Sequence, residues 1–172
     1  MSLSDRRQFL LALAALPVAG CGFAPVHGTI RGAGGGSAAD RLFGQVDVAP
    51  VDSREGFALV GRLEERLGRA GGAASYALSV TLETRMEEVA LSTTNEIDRF
   101  NVLGIARFQL RRAGGGELLV TGAVDNFTSF NSTVGTVASM AAERDAKERL
   151  ARALADQIVT RLMASAPAWP EE

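Results

Sequence analysis

The residue whose neighbours say most about chemistry is the chain's single cysteine, Cys21. It follows Leu16-Pro17-Val18-Ala19-Gly20, and upstream stand Arg6 and Arg7 and the apolar run Phe9 to Ala15. A charged start, a short apolar stretch and small residues before a cleavage point make a secretory signal peptide. The apolar run is about a dozen residues, against roughly 20 for a membrane-spanning helix, so a permanent span is not expected. Asp5-Arg6-Arg7-Gln8-Phe9-Leu10 also looks like a twin-arginine export signal, with an ordinary charged start as the alternative. Either route leads out of the cytoplasm.

Val18-Ala19-Gly20-Cys21 resembles the bacterial lipobox, in which the thiol takes a diacylglyceryl group and cleavage leaves the cysteine as an acylated N-terminus. The competing use of a free cysteine is as a small buried apolar side chain, and the position just after an apolar run argues against it. A triacylated cysteine exceeds the two chains that stable anchoring requires. The mature chain is therefore expected to be held on a membrane surface.

Basic chemistry is concentrated in Arg99, Arg107, Arg111 and Arg112, alongside a single acid, Asp98. Arginine forks pair with phosphates through charge-assisted bonds, and a solvated hairpin tip is the plainer reading of the same residues. By strand alternation Arg107 and Arg111 share a face, and Arg112 lies near a glycine turn. Candidate ligand-binding residues are thus Arg107, Arg111 and Arg112. No enzyme is expected. The only histidine, His27, falls before the folded part, which leaves no Ser-His-Asp or Cys-His arrangement and no His/Cys metal site. The formal net charge of −2 gives none of the basic surplus that nucleic acid demands. No cofactor is expected beyond the covalent lipid on Cys21.

The elements that must position these groups begin after a glycine-rich stretch, Gly28 to Ser37, which reads as a flexible tether. Gly34 to Gly36 lack the preceding strand and following Gly-Lys-Ser/Thr of a phosphate loop. Val46, Val48 and Val51 around Pro50 predict a short first strand. Asp52 and Glu55 have capping-box spacing, and Phe57, Val60, Leu63 and Leu67 recur at helical spacing before Gly68. Tyr76 to Leu82 alternates as a half-buried strand. The region around Glu88 to Glu96 reads as an excursion, and Val102 to Leu110 as the next strand. Gly114 to Gly116 turns the chain into a strand carrying Leu118, Val120 and Val124. From about Val137 to Met163 a long helix is expected, with Ala142, Ala146, Leu150, Leu154, Ile158 and Leu162 as its apolar stripe. Glu143–Lys147, Asp145–Arg149 and Glu148–Arg152 are acid-before-base pairs on its wet side.

The expected fold is α+β, in the order β-α-β-β-β-α, with two helices packed on one face of a four-stranded, mostly antiparallel sheet. The uncovered face would present Ser79, Thr81, Glu83, Arg85, Leu103, Ile105, Arg107, Gln109, Arg111, Leu119, Thr121 and Ala123. That mixture suits either a partner or water. The expected organisation is a cleaved signal peptide over 1–20, a lipidated tether over 21–40, one domain over 41–164 and a disordered tail over 165–172 around Trp169.

Cys21-Gly22-Phe23-Ala24-Pro25-Val26-His27-Gly28 is similar to the mature start of the LPS-assembly lipoproteins of alphaproteobacteria, the LptE family. The long terminal helix and the order of elements fit the same family. His27 stands where a tyrosine is expected. The resemblance implies an outer-membrane lipoprotein on the periplasmic face that fills the lumen of an LptD-type β-barrel, supports its assembly and helps lipopolysaccharide reach the outer leaflet. It also implies that the open sheet face and the arginine hairpin meet the barrel wall and lipid A phosphates. Gly22, in place of Asp, agrees with outer-membrane sorting. The rival is an accessory periplasmic lipoprotein of an ABC-type lipid transporter.

Overall fold

The computed structural model describes residues 38–72, 74–91, 97–132 and 135–169. The expected signal peptide, Cys21, His27 and the expected tether through Ser37 lie outside the described residues. The first described element is a short helix, α1 (Ala38–Leu42). Leu42 is fully buried. Strand β1 (Val46–Val48) follows and stops just before Pro50, which has no N–H to donate.

Helix α2 (Arg54–Leu67) is capped by Ser53, not Asp52: the Ser53 Oγ accepts the Gly56 N–H at 2.9 Å. Gly68 ends it at φ +74°, a conformation that favours glycine. The buried stripe is Gly56, Leu59, Leu63 and Leu67, and Phe57, expected inside, is 75% exposed. Both candidate stripes share Leu63 and Leu67, so spacing alone could not choose. Gly56 chooses, because a Cβ there would lie 2.5 Å from the Val51 carbonyl oxygen. Only glycine lets the helix start flush against that loop.

Strands β2 (Tyr76–Leu91), β3 (Ile97–Arg112) and β4 (Leu118–Asn131) form an antiparallel meander, with β1 parallel to β2 at its edge. β2 and β3 have 16 residues each, which makes a hairpin about 50 Å long. Of the excursion expected over Glu88 to Glu96, residues 88–91 are strand, with register shifts after Glu88, and residues 92–96 lie outside the described residues. The pattern misled because the outer end of β2 is exposed on both sides, although Val102 and Phe100 beside it on β3 are buried or half-buried. Met86 and Val89 are exposed there, so no buried face imposes alternation. At the other end Leu110 pairs with Val120 and Arg111 with Leu118. This bulge turns Leu118 outward and lets Leu119 pack on the core, the reverse of the expected assignment.

Helix α3 (Thr136–Ser165) lies over β3 and β4 and packs beside α2, so both long helices cover one face. Ala146, Leu150, Leu154, Ile158 and Leu162 are buried as the spacing predicts. Ala151, Ala155 and Val159 form a second buried stripe, which fits a helix touching both a sheet and another helix. The close approach rests on Gly104: a Cβ there would sit 2.9 Å from Leu150 and 3.0 Å from Leu154. Arg62 ties the helices together, donating to both carboxylate oxygens of Asp156 at 3.0 and 3.2 Å.

Of the tail expected to be disordered over 165–172, residues 170–172 lie outside the described residues and 165–169 are folded. Ala166–Ala168 form one 3₁₀ turn, and Trp169 is buried with its ring centre 5.5 Å from that of Tyr76. Among the described residues no helix is long and apolar enough to cross a membrane.

Candidate functional site

With both long helices on one side, the opposite face of the sheet is left open. Register places Ser79, Thr81, Glu83 and Arg85 of β2 beside Leu103, Ile105, Arg107 and Gln109 of β3. The β4 neighbours are Thr121, Ala123, Asp125 and Phe127. Asp125 and Phe127 were missed in the sequence because β4 runs on to Asn131. Their signal was there: Val124 and Phe130 keep even spacing toward the core, which puts odd residues outside.

Two adjacent depressions shape this face. One, of about 420 Å³, is floored by Leu103, Ile105, Ala123 and Phe127 and flanked by Glu83 and Arg85. The other, of about 560 Å³, is polar, with Ser79, Thr81, Arg107, Gln109 and Thr121 around it. Ile105 is 36% and Phe127 60% exposed, so the first floor is apolar surface left in water. A contiguous apolar patch with a polar rim is what interaction sites look like.

The three candidate arginines separate. Arg107 reaches diagonally to Glu83, with Nη1 2.6 Å from Oε1. Both side chains are more than half exposed, so the pair is worth at most about 1 kcal/mol and is cheap to exchange for another anion. Arg111 is exposed on the same face, opposite Ala77, and makes no ion pair among the described residues. Arg112 falls on the helix side, opposite Tyr76. It is half-buried, and its Nε lies 3.9 Å from Glu117 Oε2. Arg99, bonded to Asn131 Oδ1 at 3.3 Å, sits at the far end of β3, about 40 Å from Arg111. The fold therefore spaces Arg99, Arg107 and Arg111 along one face, turns Arg112 to the other, and does not gather them.

On the helix side a smaller hollow of about 280 Å³ is lined by Arg54, Glu55, Glu143, Arg144, Lys147 and Glu148. Within it the Lys147 Nζ is 2.7 Å from Glu143 and 3.7 Å from Glu55. The bond to Glu143 holds the lysine proton on, raising its pKa above the ordinary 10.5 despite some burial. That arrangement fastens α2 to α3.

Residues 43–162, from the end of α1 through nearly all of α3, match the family model described as LptE, lipopolysaccharide-assembly. The chain belongs to the LptE family. No curated protein matches it. Among solved structures, a Caulobacter crescentus chain assigned as a lipoprotein is similar at 21% identity and a TM-score of 0.65. The match covers 77% of this chain and 97% of that one. A minor lipoprotein from Acinetobacter baumannii is similar at 18% identity and a TM-score of 0.52, covering 69% of this chain and 88% of that one. Rare lipoprotein B from Shewanella oneidensis is similar at 15% identity and a TM-score of 0.50, covering 72% and 95%. At such identities these structures speak for the fold. Family membership makes this chain a lipopolysaccharide-assembly protein of the cell envelope.

Proposed function

We propose that this LptE-family chain is a lipoprotein of the outer membrane, anchored through lipid on Cys21, that sits in the lumen of an LptD-type barrel. There it supports barrel assembly and assists passage of lipopolysaccharide to the outer leaflet, with no catalytic role. The observation that carries this reading is the open sheet face of a chain whose family works in lipopolysaccharide assembly. A face with an apolar floor and a polar rim suits a wall of alternating side chains and trapped water. The long β2–β3 hairpin supplies reach, since its two 16-residue strands extend that face.

Arg107 and Arg111 are the residues we assign to phosphate groups of lipopolysaccharide; Arg112, turned to the helix side, leaves the set. Arg111 has its fork free for a bidentate bond, and Arg107 becomes available when a phosphate displaces Glu83. Affinity purification of the chain from detergent-solubilised outer membrane should co-isolate an LptD-type barrel; recovery of an ABC permease in its place would refute the reading. In a lipopolysaccharide pull-down, joint replacement Arg107→Ala and Arg111→Ala should cut retention severalfold, and Glu83→Gln should raise it. Unchanged retention in all of these would remove both arginines from the site.

A further inference from the structure

The outer edge of β4 has no part in the function proposed above. β4 is the last strand of the sheet. In a strand, the N–H and C=O of one residue point to the same side, and successive residues alternate. The Phe127 N–H takes Asn126 Oδ1 at 2.8 Å, and the Ser129 carbonyl accepts from Arg149 Nη2 at 3.2 Å. Both residues therefore turn their main-chain groups away from β3, and so do Thr121, Ala123 and Asp125. Among the described residues nothing bonds those three on that side.

The two edges of the sheet are guarded unequally. Past Leu78, where β1 stops, the β2 edge carries Glu83, Arg85, Glu87 and Glu88. Charges of that kind discourage edge-to-edge pairing. β4 has Asp125 as its one charged residue, has no proline, and keeps its only register shift at the Leu118 end. It is a long, nearly uncharged edge with a short open window.

We propose that Thr121–Asp125 is a docking edge for a second copy of this chain, paired antiparallel about a twofold axis at Ala123. The window itself argues for a like partner. Its open groups are centred on Ala123, and its far end is closed by the Asn126 and Arg149 bonds. About such an axis Ala123 faces its own copy and Thr121 faces Asp125 of the second copy. A hydroxyl thus meets a carboxylate, and no like charges meet. The side chains of Thr121, Ala123 and Asp125 are exposed on the open face, so pairing displaces nothing from the core. The product is one sheet continuous across both copies. Because the window is short, the pair is weak and concentration-dependent. It concerns the free chain and stands apart from the barrel reading.

The test is sedimentation velocity on the full chain in detergent, over a concentration series and with the mass corrected for bound detergent. A dimer should grow with concentration. Ala123→Pro removes the outward N–H without touching a bond to β3, and should weaken the dimer about tenfold or more. Ala123→Lys sets like charges across the axis and should do the same, which covers a proline variant that folds poorly. Glu83→Lys, on the other edge, should leave the dimer intact. A monomer at every concentration would overturn the proposal. So would a dimer that survives both Ala123 changes, or one lost equally with Glu83→Lys.

Discussion

At the scale of single residues, Gly104 holds the layers together by having no side chain. A methyl group there would press on Leu150 and Leu154, both packed in the core. Gly104→Ala should therefore cost about 1–3 kcal/mol, read as a lower midpoint in urea unfolding, although the substitution favours strand propensity on paper. The sequence hinted at this glycine only as a gap in an apolar strand. The reason lies on a helix more than forty residues away, where a local pattern has no view. Phe57 and Leu119 teach the same point. Each sat in a plausible stripe, and each was placed by a contact or a bulge that spacing does not encode.

Lys147 gives a second residue-scale test, made clean because it is the chain's only lysine. Its raised pKa means the folded state holds the proton more tightly than the unfolded state. The stabilisation is fully present below the ordinary value of 10.5 and is lost as pH climbs through the higher folded value. NMR titration of the Lys147 Nζ should therefore show a midpoint above 10.5 in the folded chain. In Glu143→Gln the midpoint should fall back toward it, since that bond is the largest cause.

Among the elements, helices were the most legible. α3 shows its stripe over many turns, and its acid-before-base pairs form as spaced: Glu143–Lys147, Asp145–Arg149 and Glu148–Arg152. Strands were legible only where a helix covers them. The outer end of β2 has no buried side and so lost its alternation, which is why β2 proved longer than the pattern showed. The last turn was misread for a different reason. Two prolines around Trp169 look like a loose end, but the indole reaches Tyr76 and completes the core where β2 begins. Trp169→Ala should destabilise the fold by about 3 kcal/mol or more in thermal or urea unfolding, with Trp169→Phe costing much less. A chain stopped after Ala164 should show the same loss as the alanine variant.

On the scale of the whole molecule, the sheet divides the work. One face is sealed by Leu150, Leu154 and Ile158 of α3 and by Leu59 and Leu63 of α2. The other is left to Leu103, Ile105, Ala123 and Phe127, with arginines and acids around them. The layers and the order of elements could be read from the sequence, because amphipathic periods fix which side each element hides. The depth of the open face could not, because it depends on register across three strands. Stability resides in the sealed face, so changes on the open face should leave folding intact while disturbing the partner.

The most direct measurement follows from that separation. Ile105→Asp and Phe127→Asp, made together, put charge on the apolar floor of the open face without entering the core. Affinity purification from detergent-solubilised outer membrane should then recover at most about a tenth of the barrel recovered with the unchanged chain, at a melting temperature within a few degrees of it. Full recovery of the barrel by this correctly folded variant would contradict the claim that the open face is where the chain meets its partner.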